Sequence, residues 1–161
     1  MRRAVRAIVV KDDKLLVMRR NKFGQEYYIL VGGGIDAGET PEQALSRELM
    51  EETGFTLVSS RLVFTESHQD IYGHQYIYAC EVTGDGTPVL HPSSDEAQIH
   101  ALGQNLYEPL WLPIKDLAGI PFRTPELQQA LVLGLRHGFP KGPVELDGQY
   151  LEHIHSKVKK G

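Results

Sequence analysis

The sequence predicts a single domain of the α/β class: its strand and helix signals support the class, and its length and composition support a single domain. Short runs rich in valine and isoleucine are typical of strands, whereas two longer segments carry the capping residues typical of helices. The chain has 161 residues, 41% hydrophobic and 24% charged, which is an ordinary composition for one globular domain. A chain of this length can form a core without disulfides, and its single cysteine excludes an intramolecular disulfide and a multi-cysteine metal site.

Strand patterns cover much of the chain. A hairpin is predicted over residues 4–10 and 14–19, and further strands over residues 27–31, 56–66, 74–82 and 106–111. Within residues 74–82 the bulkier apolar side chains alternate, so Cys80 is interpreted as a small core residue. Glycine, proline and serine between residues 84 and 103 predict a long loop, of the kind that forms lids or binding elements.

The sequence predicts two helices, and both ends of the first are marked. The first helix is predicted over residues 40–52, because Thr40 and Gln43 suit a capping box around Pro41, and Gly54 suits a left-handed C-cap. The second is predicted over residues 125–137 and ends before a glycine and a proline.

The charge and hydropathy of the chain limit its partners. Its net charge of -4 and pI near 6.0 argue against a nucleic-acid polymer, because binding to such a backbone needs clustered lysine and arginine. No apolar run approaches the roughly 18 residues that cross a bilayer, so we expect no membrane partner. The start of the chain is similar to a secretory signal, but Arg6 interrupts its apolar run and Lys11 ends it. We therefore expect a cytoplasmic protein, either a monomer or a homodimer.

Three glutamates lie together on the first predicted helix. A helix turns about 100° per residue, so Glu48, Glu51 and Glu52 fall within an arc of roughly 100°. Their mutual repulsion would be offset by a hard divalent cation, which prefers oxygen ligands. Arg47 is four residues before Glu51 and can orient its carboxylate. The alternative is a solvated acidic face without a ligand.

The residues around these glutamates resemble a known motif. Gly33, Glu39, Arg47-Glu48-Leu49, Glu51-Glu52, Gly54 and Phe55 have the spacing of the Nudix box, in the segment GGIDAGETPEQALSRELMEETGF. Two residues depart from the usual pattern: Phe55 replaces an aliphatic residue, and Val31 replaces a frequent proline. The similarity extends to residues 15–20 and 108–113, so it covers about residues 1–137.

The resemblance implies the Nudix fold, an α/β/α sandwich with a mixed β-sheet, over residues 1–137. Residues 138–161 are then a C-terminal extension. They could add an edge strand around residues 149–154, pack against the domain or a second subunit, or stay loose.

The resemblance also implies a set of site residues. A Mg²⁺ or Mn²⁺ ion would be held by Glu48, Glu51, Glu52 and the backbone carbonyl of Gly32, with Arg47 part of the catalytic set. Glu39 is expected to have a structural or outer-sphere role. The first candidate for the general base is Glu48, and the alternatives are Asp95, Glu96 and Glu108.

Substrate-binding residues are expected near the second predicted strand. Arg19 and Arg20 follow it, and alternation lets only one face the cleft; we favour Arg19, because its planar fork suits phosphate. Tyr28 could stack on a base or belong to the core. The histidines show no metal-ligand spacing, and His153 and His155 are interpreted as surface residues.

The implied activity is hydrolysis of a diphosphate linkage in a small nucleoside diphosphate derivative. A nucleoside triphosphate pyrophosphohydrolase of the MutT type is the first candidate. A dinucleoside polyphosphate hydrolase is an alternative, because Tyr72 resembles a tyrosine of that group. A non-catalytic nucleotide-binding module and an isopentenyl diphosphate isomerase, which would use Cys80, are the remaining alternatives.

Overall fold

A computed structural model of the protein describes residues 2–68, 73–84 and 86–146. In chain order its elements are β1 (Arg3–Ile8), β2 (Val10–Lys11), β3 (Lys14–Lys22), β4 (Gln25–Ile29), β5 (Val31–Gly34), α1 (Pro41–Thr53), β6 (Thr56–Ser67), β7 (His74–Thr83), α2 (Asp95–Ala101), β8 (Asn105–Pro113), a 3₁₀ helix (Ile114–Gly119), α3 (Pro125–His137) and β9 (Val144–Glu145).

The strands form two sheets. The first has the order β5-β1-β7-β6-β9 and is mixed, because β1 pairs with β7 and β6 with β9 in parallel while the other pairs are antiparallel. In the second sheet, β3 pairs with β8 along its whole length, and with β2 and β4 on its other side. The predicted hairpin is confirmed only next to its turn, where β2 pairs with the start of β3 and the turn residues Asp12 and Asp13 have φ values of 51° and 60°. Residues 4–8 instead belong to β1, which pairs with β5 and β7 in the first sheet.

Two apolar clusters hold helices against the sheets. α1 buries Ala44, Leu45 and Leu49 in one cluster, and α3 buries Leu127 and Leu131 in the other. Strand β1 contributes residues to both clusters, because alternate side chains of a strand point to opposite faces of the sheet. Val5 and Ala7 pack on the α1 side, and Ile8 packs on the α3 side.

The predicted ends of α1 are confirmed. The Thr40 hydroxyl accepts from the Gln43 amide at 3.1 Å, and the Gln43 side chain accepts from the Thr40 amide at 2.9 Å. Gly54 has a φ of 79°, in the left-handed region that ends helices. The glutamates of α1 therefore stand on a helix whose register is fixed at both ends.

Two local predictions are wrong. The strand predicted over residues 27–31 is two strands in different sheets, because the chain passes from β4 to β5 at Leu30. The loop predicted over residues 84–103 contains α2, because Ser94 caps it by accepting from the amide of Ala97 at 3.1 Å. The glycine and proline content before Ser94 conceals this short helix.

Cys80 packs beside the α1 cluster, as predicted for a core residue. Burial raises the pKa of its thiol to about 12. In the part of the chain that the structure describes, no helix is long and apolar enough to cross a membrane.

The start of the C-terminal extension packs on the domain. β9 pairs with Phe64 and Thr65 of β6, and Leu146 is buried in the α3 cluster. Residues 149–154, for which an edge strand is one alternative, lie outside the described residues, as do His153, His155 and Tyr72.

Candidate active site

Three carboxylates from two helices converge beside the glycines of β5. Glu48 and Glu52 are one turn apart on α1, and Glu96 is on α2. One carboxylate oxygen of each lies within 4.8 Å of the others. Glu48 and Glu52 are 5% and 3% exposed, so water screens their repulsion poorly.

Glu52 is held by the backbone of β5. The amide of Gly32 donates to Glu52 Oε1 at 2.7 Å. Gly32 has a φ of 149°, and a Cβ at that position would overlap the carbonyl oxygen of Val5, so no other residue fits. Burial, reinforced by the charge of Glu48, raises the pKa of Glu52 well above its ordinary value, and the nearby Arg6 opposes that increase.

Glu48 occupies space that the next glycine leaves open. A Cβ on Gly33 would lie 2.5 Å from Glu48 Oε1. Arg47 Nη1 donates to Oε1 at 3.0 Å, whereas Oε2 is buried without a hydrogen-bond partner among the described residues. Burial first, and then the charge of Glu96, raise the pKa of Glu48 to about 7.

Arg47 joins α1 to the segment before it. It donates to both oxygens of Glu39, at 2.8 and 2.9 Å, and to the carbonyl oxygen of Gly34 at 3.0 Å. These hydrogen bonds lower the pKa of Glu39 to about 2, so Glu39 is a stable anion that orients Arg47. Arg47 also donates to Glu51 at 3.3 Å.

The three converging carboxylates fit a hard divalent cation. The set is all oxygen, and Glu48, whose Oε2 has no hydrogen-bond partner among the described residues, is one of its members. Gly32 and Gly33 bring no side chain of their own into the site. Glu51 is outside this group and bound to Arg47, so its role as a ligand stays a prediction. The same holds for the carbonyl of Gly32.

Of the three alternative bases, the structure brings only Glu96 to the other glutamates. Asp95 is exposed at the start of α2. Glu108 is exposed on β8, 3.8 Å from Arg19.

The two neighbouring arginines of β3 point to opposite faces. The side chain of Arg19 is 41% exposed and pairs with Glu26 at 2.9 Å. Arg20 is buried; it donates to Asn105 and to the carbonyl oxygen of Leu106, and its guanidinium lies 3.6 Å from the centre of the Tyr107 ring.

Arg20 belongs to a stack of alternating guanidinium groups and tyrosine rings, which we call the arginine–tyrosine stack: Arg123, Tyr27, Arg20 and Tyr107. Arg123 lies 3.9 Å from the centre of the Tyr27 ring, and Arg20 lies 5.6 Å from it. The Tyr107 end of the stack is next to α2, the helix that carries Glu96, because the Tyr107 amide donates to His100 Nδ1 at 3.1 Å. Tyr28 instead packs against the α3 cluster.

The sequence reasoning missed most of the stack. Alternation along β3 shows that Arg19 and Arg20 face opposite ways, but it does not show which face holds the site. Tyr107 and Arg123 are far from both in sequence. The pairing of β3 with β4 and β8 brings Tyr27 and Tyr107 to Arg20, and Arg123 is placed beside them by its amide, which donates to the carbonyl oxygen of Tyr28 at 2.9 Å.

The match to a family model decides the family. Residues 1–133 match the model described as the NUDIX domain. This chain belongs to the Nudix family. The predicted family is confirmed, and so is the predicted α/β fold with a mixed sheet.

Curated Nudix relatives match only part of the chain. The RNA pyrophosphohydrolase of Vibrio atlanticus is 43% identical over 61 residues, which are 38% of this chain and 36% of that protein. The RNA pyrophosphohydrolase of Photobacterium profundum is 41% identical over 61 residues, or 35% of its length. The match thus spans about a third of these relatives.

Solved structures resemble this Nudix chain over most of its length. A MutT Nudix hydrolase from Burkholderia pseudomallei has a TM-score of 0.61 at 22% identity, covering 79% of this chain and 94% of the other. An ADP-ribose pyrophosphatase from Streptococcus suis has a TM-score of 0.62 at 18% identity, covering 91% and 98%. At these identities the likeness shows the fold.

Proposed function

We propose that this Nudix protein is a metal-dependent hydrolase that cleaves a diphosphate linkage in a nucleoside diphosphate derivative. The observation that carries the proposal is the convergence of Glu48, Glu52 and Glu96 within 4.8 Å. A nucleoside triphosphate is the first candidate substrate. The similar proteins support the reaction class, since their names are pyrophosphohydrolase and pyrophosphatase, but those names differ in substrate.

Glu52 and Glu96 would hold Mg²⁺ or Mn²⁺ together with Glu48, and Glu51 and the Gly32 carbonyl are the further proposed ligands. When bound, the cation would neutralise phosphate charge and lower the pKa of a water molecule. The protein's own contribution is to hold the carboxylates in place before the substrate arrives, through Gly32 on one side and Arg47 on the other.

We assign the general base to Glu48, with Glu96 as the alternative. Arg47 holds one oxygen of Glu48, and Oε2 is left to receive a proton from the attacking water. A pKa of about 7 suits this step, because a base acts best when its pKa is close to the working pH. The water oxygen then bonds to a phosphorus of the diphosphate, and the bridging P–O bond breaks.

The arginine–tyrosine stack is proposed to bind substrate beside the carboxylates. Arg20 and Arg123 provide positive charge, and the rings of Tyr27 and Tyr107 fix both guanidinium groups in place. This assignment moves the proposed contact from Arg19 and Tyr28 to their neighbours, because Arg19 is paired with Glu26 on the opposite face.

A substrate panel in ¹⁸O-labelled water tests the proposal. The chain would be incubated with Mg²⁺ and, separately, nucleoside triphosphates, dinucleoside polyphosphates, ADP-ribose, isopentenyl diphosphate and a 5′-triphosphorylated oligoribonucleotide. We expect a mononucleotide and diphosphate from a triphosphate, with label on one phosphorus. A product from the oligoribonucleotide alone would overturn the expectation of a small-molecule substrate.

Two other outcomes identify the remaining alternatives. Tight nucleotide binding without turnover of any compound would make this a binding module. Isomerisation of isopentenyl diphosphate is not expected, since Cys80 packs beside the α1 cluster and its thiol stays protonated at neutral pH.

A further inference from the structure

We infer that Ser94 is a positioning residue, which sets the third carboxylate of the site, Glu96, against the two on α1. The inference rests on the proposed function and concerns residues 86–94, which we call the strap. The strap leads from the end of β7 to the start of α2.

The strap is bound to the helix that carries Glu48 and Glu52. The amide of His91 donates to the carbonyl oxygen of Glu51 at 2.7 Å, and the amide of Val89 donates to that of Thr53 at 3.1 Å. The last carbonyl groups of a helix have no partner within it, so these two hydrogen bonds use acceptors that α1 leaves free. At the other end of the strap, Trp111 Nε1 donates to the carbonyl oxygen of Gly86 at 2.6 Å.

Ser94 connects the strap to α2 through hydrogen bonds on both sides. Its amide and its hydroxyl both donate to the carbonyl oxygen of His91, at 3.0 and 2.7 Å. The same hydroxyl accepts from the amide of Ala97 at 3.1 Å and so caps α2. Ser94 is 5% exposed, and water therefore cannot easily replace these hydrogen bonds.

A helix of seven residues needs such support. Isolated helices this short are not stable in water, so the position of α2 depends on its cap and its contacts. Glu96 is two residues after Ser94, and the helix is also held near its end, where the Tyr107 amide donates to His100 Nδ1 at 3.1 Å. The chain of hydrogen bonds from Glu51 through His91 and Ser94 therefore sets the distance between Glu96 and α1.

The prediction is that Ser94→Ala weakens metal binding through Glu96. Mn²⁺ alone is the probe, measured by calorimetric titration of the full chain without nucleotide. We expect the Kd for Mn²⁺ to rise about tenfold, the order of effect of a lost helix cap. Ser94→Thr keeps the hydroxyl and should restore most of the affinity. Ser93→Ala is the matched control, because the Ser93 hydroxyl is exposed and contacts the His91 ring.

A double-mutant cycle separates positioning from general destabilisation. Glu96→Gln removes the charge that Ser94 is inferred to place, so Ser94→Ala should change the Kd by less than twofold in that background. Equal weakening in both backgrounds, or no weakening in either, would overturn the inference. If the unaltered chain itself binds no Mn²⁺, the proposed function fails; if it binds and Ser94→Ala binds equally well, only this inference fails.

Discussion

Burial determines what each glutamate of the site can do. Glu52 is buried and bound to the amide of Gly32, whereas Glu48 has one oxygen without a partner in the described part of the chain and a pKa of about 7. The pKa of Glu39 is shifted in the opposite direction, to about 2, because hydrogen bonds from Arg47 keep its carboxyl group ionised. These differences underlie the proposed roles of the three carboxyl groups: Glu52 as a ligand, Glu48 as both a ligand and the base, and Glu39 as the support of Arg47.

Replacing Glu52 by glutamine tests the ligand role. Glutamine keeps an oxygen that can accept from the Gly32 amide but removes the negative charge. We expect kcat with the first substrate identified to fall by about a hundredfold or more, because charge stabilisation at the site is lost. Glu42→Gln, at an exposed position on the same helix, is the control and should keep full activity. Full turnover by Glu52→Gln would contradict the metal site.

A comparison of Arg20→Lys with Arg19→Lys tests which arginine contacts substrate. Lysine cannot stack on both tyrosine rings with a planar group, so we expect Arg20→Lys to raise KM about tenfold. Arg19→Lys should leave KM within about twofold, since the exposed pair with Glu26 contributes little. Steady-state kinetics at saturating Mg²⁺ measure both KM values. A larger increase in KM for Arg19→Lys than for Arg20→Lys would restore Arg19 as the proposed substrate contact.

At the scale of elements, α1 could be predicted from the sequence and α2 could not. Thr40, Gln43 and Gly54 are local signals that act within a few residues of each other, and the structure contains all of them. Glu96 could only be an alternative base, because no spacing rule relates a residue of α2 to Glu48. The hydrogen bonds that we infer to place it join the strap to α1, and these contacts are distant in sequence.

The capping box gives an element-scale prediction. Thr40→Ala removes the acceptor for the Gln43 amide, and we expect the free energy of unfolding to fall by about 1 kcal/mol. Thr40→Ser keeps the hydroxyl and should stay within about 0.5 kcal/mol of the unaltered chain. Urea unfolding of the two variants measures the difference. Equal stability of Thr40→Ala and the unaltered chain would show that α1 is held by packing alone.

Across the whole molecule, the site opposes stability at neutral pH when no metal is bound. Burial raises the pKa of Glu48 from 4.5 to about 7, so between these values the folded chain keeps a proton that the unfolded chain has lost. The contribution of Glu48 to stability is therefore greatest below about pH 4.5 and is lost as the pH rises through about 7. Glu52 acts in the same direction.

Thermal unfolding with and without Mn²⁺ tests this predicted loss of stability with rising pH. A bound cation takes the place of the proton, so the increase in Tm caused by millimolar Mn²⁺ should be larger near about pH 8 than near about pH 5.5. In Glu48→Gln, the increase in Tm caused by Mn²⁺ should differ less between the two pH values than it does in the unaltered chain. A Tm that Mn²⁺ does not change at either pH would favour a solvated acidic face.

The anchorage of the strap on α1 also orders the local opening of the protein. Val89 and His91 donate to carbonyl groups of the last turn of α1, so that turn cannot fray without releasing them. The strap can detach while α1 remains intact, but the reverse does not hold. Amide hydrogen exchange should therefore show His91 and Ala97 exchanging no more slowly than the C-terminal turn of α1. The third carboxylate would accordingly be the last to join the site during folding and the first to leave it.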